Sequence, residues 1–199
     1  MADPHPYWQH PDDLYASPPP WDIGRPQPAF LALAEAGAIR GRVLEAGCGT
    51  GEHTLLAAGL GLDATGIDLA HTALRQAMRK ARERGLPARF LHWDARQLPD
   101  LGETFDTVLD CGLFHIFGPD DRAHYARSLA SALRPGGRYL MLGFADRQPG
   151  KYGPHGLTLQ EIADTFTTGW RVDSIEPATI EITTDPDGIR AWLAAVTRI

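Results

Sequence analysis

The sequence predicts an α/β fold whose doubly wound, mostly parallel sheet has seven strands, helices on both faces and an antiparallel edge strand. Two observations carry this prediction. Short apolar segments alternate with longer helical segments from residue 42 to residue 144, which is the pattern of successive strand–helix units. A glycine-rich turn, EAGCGTGEH, occupies residues 45–53 at the end of the first apolar segment, and ligands of such folds bind at the ends of strands.

The parallel part of the sheet is predicted from short apolar segments, and the helices between them have proline or glycine near their ends. The helix over 70–85 is amphipathic, and Leu74 and Met78 are expected on one apolar face. The strands are predicted at residues 42–47, 63–68, 88–94, 105–112 and 138–144. The helices are predicted at residues 26–39, 51–61, 70–85 and 119–137.

The alternation changes after residue 144. A helix is predicted over 158–169 with Thr158 as its N-cap. Residues 170–183 alternate between polar and apolar side chains, which is typical of a half-exposed strand. Residues 190–199 fit either a helix or a strand, and we favour a final strand that pairs antiparallel at the sheet edge.

Composition and charge bound the function. The chain has 199 residues, 43% hydrophobic and 22% charged, as expected for one globular domain. A formal net charge of -6 disfavours a nucleic acid or an anionic membrane as the partner. We predict a cytoplasmic protein without a signal peptide or transmembrane helix. No metal is expected, because the two cysteines form no CxxC motif, and the abundance of Ala, Gly, Pro and Arg suggests a bacterial source.

The glycine-rich turn does not match the two common phosphate-binding motifs. A dinucleotide fingerprint that starts at Gly47 requires glycine or alanine at the position of Glu52, where a carboxylate is too large and has the wrong charge for a pyrophosphate. A P-loop requires a lysine after its last glycine, and none follows here. The turn therefore predicts a ligand other than a phosphate.

The pattern E-x-G-x-G-x-G, formed by Glu45 and the next three glycines of the turn, resembles the cofactor loop of class I S-adenosylmethionine-dependent methyltransferases. Asp68 ends the second strand, and Asp94 and Ala95 end the third, in the order typical of that family. The resemblance covers about residues 40–143 and implies a Rossmann-like fold. It implies that Asp68 holds the ribose hydroxyls and that Asp94 and Ala95 hold the adenine. The cofactor-binding residues that we predict are Trp21, Glu45, Gly47, Cys48, Gly49, Gly51, Asp68, Leu69, Asp94, Ala95, Asp110 and Cys111.

The stretch PPPWDIGRPQP, residues 18–28, resembles the N-terminal lid of the thiopurine and halide/thiol methyltransferase branch. In that branch, lid aromatics close over the sulfonium by cation–π attraction. The resemblance implies a lid segment over 1–25 and a single domain over 26–199. That domain has a cofactor half at about 40–143 and a substrate side at about 144–199. Arg25 is expected to pair with Asp22 or to contact a substrate anion.

The chemistry is expected at the loop after the fourth strand, DCGLFHIF. His115 is the candidate catalytic residue, either as a general base toward a phenol or thiol or as a packing residue. We predict a methyltransferase that moves a methyl group to a thiol, a hydroxyl or a similar nucleophile of a small molecule by in-line displacement, leaving S-adenosylhomocysteine. The alternative is a cofactor-binding module without catalysis, and a monomer and a dimer both remain open. The substrate-binding residues that we predict are Trp8, Tyr15, Arg25, Phe114, Tyr152 and His155.

Overall fold

A seven-stranded sheet organises the protein, whose computed structural model describes residues 10–146 and 156–199. The strand order is β3-β2-β1-β4-β5-β7-β6. The first five strands pair in parallel, and β7 pairs antiparallel with both β5 and β6. The strands are β1 (Arg42–Ala46), β2 (Asp63–Asp68), β3 (Arg89–His92), β4 (Phe105–Cys111), β5 (Leu133–Phe144), β6 (Trp170–Ile182) and β7 (Asp185–Arg198). This architecture confirms the predicted fold class.

Helices cover both faces of the sheet. Neighbouring residues of β1 point to opposite faces, so Val43 packs with α1 and α2, whereas Leu44 packs with α4 and α5. This is why the parallel strands read as continuous apolar runs. The helices are α1 (Pro28–Glu35), α2 (Glu52–Gly59), α3 (His71–Arg84), α4 (Pro119–Ala132) and α5 (Leu159–Thr165), with short 3₁₀ helices at Pro11–Tyr15, Ala95–Leu101 and Phe114–Ile116.

The strand order places the functional crevice. The chain proceeds from β1 to β2 and β3 on one side and from β4 to β5 on the other, so β1 and β4 are neighbours at the point where the order reverses. The loops after such a pair of strands diverge to opposite faces and leave a cleft at the carboxyl edge of the sheet. In this chain those loops are the glycine-rich turn and the segment 112–118.

Three details differ from the sequence analysis. The final strand is antiparallel, as expected, but it lies between β5 and β6, and β6 forms the border of the sheet. The fourth helix ends at Ala132 rather than at 137, because β5 already begins at Leu133. The buried face of α3 consists of Leu74 and three alanines, whereas Met78 is 37% exposed.

The predicted cap of the last helix is present. The Thr158 hydroxyl accepts the N–H of Glu161, and the Glu161 carboxylate accepts the N–H of Thr158, which makes a complete capping box. Among the described residues, no helix combines the length and the apolar composition needed to cross a bilayer.

Candidate cofactor and acceptor site

A cavity of about 290 Å³ lies at the cleft between the ends of β1 and β4. Its floor is the glycine-rich turn, and its roof is the strap, which we define as residues 10–27. Its far wall is formed by the end of the β6–β7 hairpin. The predicted site residues that line it are Tyr15, Trp21, Arg25, Glu45, Gly47, Cys48, Gly49, Gly51, Asp68, Leu69, Ala95, Cys111 and His115.

Two glycines give the floor its shape. Gly49 has φ +51°, and a Cβ atom there would lie 2.7 Å from the Tyr15 hydroxyl. Gly51 has φ +86°, and a Cβ atom there would lie 2.8 Å from the Cβ of Ala77 and from the ring of Phe90. Residues with a side chain rarely adopt positive φ, and a side chain would have no space at either position. The turn therefore exposes bare backbone to the cavity and lets the strap approach it closely.

Asp68 fixes the turn from the end of β2. Its Oδ2 atom accepts the N–H of Gly49 at 2.8 Å, and its Oδ1 atom accepts the N–H of Ala70 at 2.8 Å. Burial raises the pKa of the Asp68 carboxyl in spite of these hydrogen bonds. The carboxylate thus both lines the cavity and holds the glycine-rich turn in register with the start of α3.

Glu45 is buried under the turn, with 2% of the residue exposed. It accepts the N–H and the hydroxyl of Thr54, with the N–H at 2.7 Å, and it bonds the Nδ1 atom of His53 at 2.8 Å. The Nε2 atom of His53 accepts the N–H of Gln27 at 3.1 Å, so the neutral ring carries its proton on Nδ1. These bonds tie the strap to the turn.

The sequence analysis missed His53, although it lies within the quoted turn. The partner of its Nε2 atom is a backbone group 26 residues away, which no local pattern signals. The imidazole also packs on the ring of Phe30, with centroids 4.4 Å apart.

Asp94 does not line the cavity. Its carboxylate caps the 3₁₀ helix Ala95–Leu101 by accepting the N–H of Arg96 at 2.8 Å, and it pairs with the guanidinium of the same residue at 2.7 Å. At this end of the cavity the structure instead places Leu69, Trp93 and Ala95.

Asp110 and Phe114 lie behind the cavity rather than in its wall. Asp110 is fully buried and accepts hydrogen bonds from Tyr125 and Tyr139. Phe114 is fully buried against Tyr125 and Phe166. The polar residue at the end of β4 therefore does not line the cavity, because the hydroxyls of two buried tyrosines bind its carboxylate.

His115 and Cys111 are the residues of this loop with a titratable side chain in the cavity wall, which Gly112, Leu113 and Ile116 also line. His115 is 5% exposed, and its Nδ1 atom accepts the N–H of Phe144 at 3.0 Å. The neutral imidazole therefore carries its proton on Nε2. A role as base through Nε2 requires the other tautomer. In that tautomer Nδ1 carries the proton, so the buried Phe144 N–H faces the Nδ1–H group and loses its acceptor. Burial raises the pKa of the Cys111 thiol, which keeps it protonated at neutral pH.

Six apolar residues that the sequence analysis did not find line the same cavity, and we call this set the apolar chamber. It adjoins His115 through Phe144, whose ring stacks on the imidazole with centroids 4.1 Å apart. It comes from the strap, from the loop after β4, from the end of β5 and from the β6–β7 hairpin, and these segments meet only in the folded chain. Its residues are Ile23, Ile116, Phe144, Ile180, Ile182 and Ile189.

The strap residues take partners that were not expected. Arg25 pairs with Glu181 of β6, not with Asp22. Trp21 is 40% exposed and contacts the Tyr15 ring edge-to-face, with centroids 6.5 Å apart. Three further predicted residues, Trp8, Tyr152 and His155, lie outside the described residues.

The cavity suits a cationic nucleoside better than a phosphate. Among the described residues, four carboxylates and one guanidinium line it, so its charge is negative. The bare backbone of the turn, the Asp68 carboxylate and the apolar surfaces of Leu69 and Trp93 match the polar and planar parts of a nucleoside.

Comparison with known proteins decides the family. A methyltransferase-domain family model matches residues 43–137. A relative from Mycobacteroides abscessus, 2-heptyl-1-hydroxyquinolin-4(1H)-one methyltransferase, is 39% identical over 166 residues, which are 82% of this chain and 73% of the relative. The chain belongs to the S-adenosylmethionine-dependent methyltransferases.

Two further proteins are similar to this methyltransferase. Probable thiol methyltransferase 2 of Arabidopsis thaliana is 29% identical over 150 residues, which are 71% of this chain and 64% of the relative. A solved structure from work on the conversion of a disulfide bond into a thioacetal group during echinomycin biosynthesis is 40% identical, with a TM-score of 0.86. It covers 94% of this chain and 91% of the solved chain. The predicted family, fold and cofactor of this methyltransferase are thereby confirmed.

Proposed function

We propose that this methyltransferase methylates a thiol or an ionisable hydroxyl on a small acceptor whose remaining surface is largely apolar. The observation that carries the proposal is the apolar chamber beside His115, in the same cavity as the glycine-rich turn. Such a chamber favours a planar or alkyl-bearing molecule over a charged metabolite. The relatives support this, since one is named for a hydroxyquinolone carrying a heptyl chain and another for thiols.

The described residues divide the cavity into two ends. In this proposal the glycine-rich turn and Asp68 hold the methionine and ribose portions of S-adenosylmethionine, and Leu69, Trp93 and Ala95, which line the same cavity, hold its adenine. When bound, S-adenosylmethionine supplies an electrophilic methyl group, which leaves the sulfonium sulfur by in-line displacement as the acceptor's lone pair forms the new bond. Trp21 and Tyr15 form the roof, where aromatic faces favour a cation and exclude water.

His115 acts, in this proposal, as a donor to the nucleophilic atom. An Nε2–H group that points at an ionised oxygen or sulfur stabilises the anion and orients it for attack. The Phe144 N–H bond at Nδ1 favours the tautomer that this role needs. An acidic acceptor then needs no protein base, because the donor lowers the pKa of the bound acceptor, which releases its proton to solvent before the methyl group is transferred.

The acceptor assignment is tested with S-adenosylmethionine, a 2-alkyl-1-hydroxyquinolin-4-one, an aromatic thiol, glutathione and iodide, with products identified by mass spectrometry. We expect methylation of the first two acceptors and little product from glutathione or iodide. Binding of S-adenosylhomocysteine by calorimetry with no product from either apolar acceptor would overturn the assignment and favour a cofactor-binding module.

The role of His115 is tested by comparing His115→Gln with His115→Ala. A glutamine amide places an N–H close to the position of Nε2 but is no base, so the donor role predicts that His115→Gln retains much more turnover than His115→Ala. Affinity for S-adenosylhomocysteine should change little in either variant. Equal loss of turnover in both variants would support a general base instead.

A further inference from the structure

We propose that Asp22, Thr50 and Lys80 form a latch that fastens the strap to the glycine-rich turn and thereby positions Trp21 and Tyr15 over the cofactor. The three residues come from three different elements, namely the strap, the turn and α3. Asp22 and Thr50 also line the cavity, but in this proposal the three act as positioning residues, through the aromatic side chains and the turn. The inference concerns cofactor binding and does not depend on the proposed acceptor.

The latch is a chain of hydrogen bonds from Lys80 through Thr50 to Asp22. Lys80 Nζ donates to the Thr50 hydroxyl at 2.8 Å, and that hydroxyl donates to Asp22 Oδ2 at 3.0 Å. Lys80 Nζ also lies 3.9 Å from Asp22 Oδ1. The Thr50 hydroxyl thus bridges the ammonium group and the carboxylate, because it accepts a hydrogen bond from the first and donates one to the second.

The latch is too buried to be an ordinary surface ion pair. The side chains of Asp22 and Lys80 are each 16% exposed, so solvent screens their attraction less than on an open surface. Removing one partner leaves the other partly buried without its counter-charge, which is costly. The contact with Lys80 therefore stabilises the docked strap by more free energy than an exposed ion pair would contribute.

Lys80 is held in place independently of the strap. Its Nζ atom also lies 2.8 Å from Glu52 Oε1, and Glu52 makes two further hydrogen bonds to the guanidinium of Arg84. Burial alone would raise the pKa of Glu52, but the hydrogen bonds from Arg84 and Lys80 bring it below its ordinary value. The receiving half of the latch is thus preorganised, so docking of Asp22 orders few additional side chains.

The position of the latch explains what it controls. Asp22 follows Trp21 directly, and Trp21 is 40% exposed, so the partly buried carboxylate is the side-chain anchor at this point of the strap, beside the backbone bond from the Thr183 N–H to the Pro20 carbonyl. Trp21 in turn contacts Tyr15, whose hydroxyl lies against Gly49. A strap released at Asp22 would let both aromatic side chains move away from the turn.

The chain offers a matched control for the test. Lys80→Met removes one cation from Glu52 and also the latch, whereas Arg84→Met removes a cation from Glu52 and leaves Asp22 and Thr50 untouched. S-adenosylhomocysteine affinity is measured by titration calorimetry and stability by thermal unfolding. We expect Lys80→Met and Asp22→Ala to weaken binding by about tenfold and Arg84→Met by less than about twofold, with similar melting temperatures for the two cation variants.

A double variant and a charge-conserving variant test whether Asp22 and Lys80 act through one interaction. The double variant Asp22→Ala/Lys80→Met should bind no more weakly than the weaker single variant, since both remove one interaction. Lys80→Arg, which keeps the charge, should recover part of the affinity. The KM for S-adenosylmethionine should rise in Lys80→Met more than kcat falls. If Lys80→Met and Asp22→Ala bind S-adenosylhomocysteine as Arg84→Met does, or if their effects add fully, the latch is overturned, while the acceptor assignment stands on its own test.

Discussion

Asp110 shows how a carboxylate at a strand end can act on a site that it does not touch. Its Oδ2 atom accepts two tyrosine hydroxyls, and its Oδ1 atom accepts the N–H groups of Leu113 at 2.9 Å and Phe114 at 3.2 Å. These last two bonds hold the turn that presents His115 to the cavity. Burial nevertheless raises the pKa of Asp110 from 3.8 to about 6, because the desolvation of the anion outweighs the four hydrogen bonds.

The raised pKa of Asp110 predicts a pH-dependent difference between the wild type and Asp110→Asn. The folded state binds this proton more tightly than the unfolded state, so the stability linked to Asp110 is present below about pH 4 and is lost as the pH rises to about 6. The free energy of unfolding of the wild type should fall relative to the variant by up to about 3 kcal/mol over that interval. Urea denaturation of both proteins at several pH values measures this difference. A difference that stays constant or rises with pH would contradict the raised pKa.

At the scale of the element, the strap is attached to the edge of the sheet through a side-chain amide. Gln27 is 2% exposed and forms two hydrogen bonds with the backbone of Glu181, donating at 2.9 Å and accepting at 2.8 Å. Its amide thus imitates a strand residue at the outer border of β6. Such pairing both anchors the strap and shields part of a sheet edge that would otherwise present free backbone groups.

Gln27→Ala and Arg25→Ala form a matched pair, because both residues bind Glu181. Gln27→Ala leaves backbone groups without partners at a partly buried position, so it should reduce the free energy of unfolding by about 1–3 kcal/mol. Arg25→Ala removes an exposed ion pair and should cost less than about 1 kcal/mol. Denaturant titration of the two variants provides the comparison. A larger loss for Arg25→Ala would show that the ion pair, rather than the amide, anchors the strap.

At the scale of the whole molecule, the strap bridges the carboxyl edge of the sheet and covers the cavity. One end of the strap is attached to α3, where Asp12 accepts the N–H of Thr72, a bond that lowers the pKa of Asp12. The other end is attached to β6 through Gln27. A ligand that fills the cavity would therefore contact the strap, the turn and the hairpin at once.

This enclosure predicts that ligand binding stabilises the molecule and protects the strap. S-adenosylhomocysteine at 100 times its Kd should add about 2.7 kcal/mol to the free energy of unfolding. Cleavage by a nonspecific protease within residues 16–18, which are exposed, should slow by a larger factor than global stability accounts for. Thermal unfolding and timed proteolysis with mass spectrometry measure the two effects. Unchanged cleavage of the strap at saturating ligand would show that the strap does not close over the site.

Several features of the site are local and could be predicted. The glycine-rich turn reveals itself because Gly49 and Gly51 have positive φ angles that other residues avoid. The carboxylate at Asp68 could be located because a parallel strand brings its last residue to the carboxyl edge of the sheet. Asp94 and Asp110 also lie at strand ends but do not line the cavity, and for one reason. Position at a strand end does not determine which neighbour takes up a carboxylate, and here Arg96 and two tyrosines do so.

The sequence by itself determined the α/β class, the succession of strands and helices, and the glycine-rich turn, whose pattern predicts a ligand without phosphate. These follow from periodicity, glycine positions and charge, which act between near neighbours in the chain. Only the tertiary structure decided the place of β7 inside the sheet, the tautomer of His115, the apolar chamber and the latch at Lys80. Each of these depends on contacts between segments far apart in the sequence, whose partners are chosen by packing and burial rather than by local pattern.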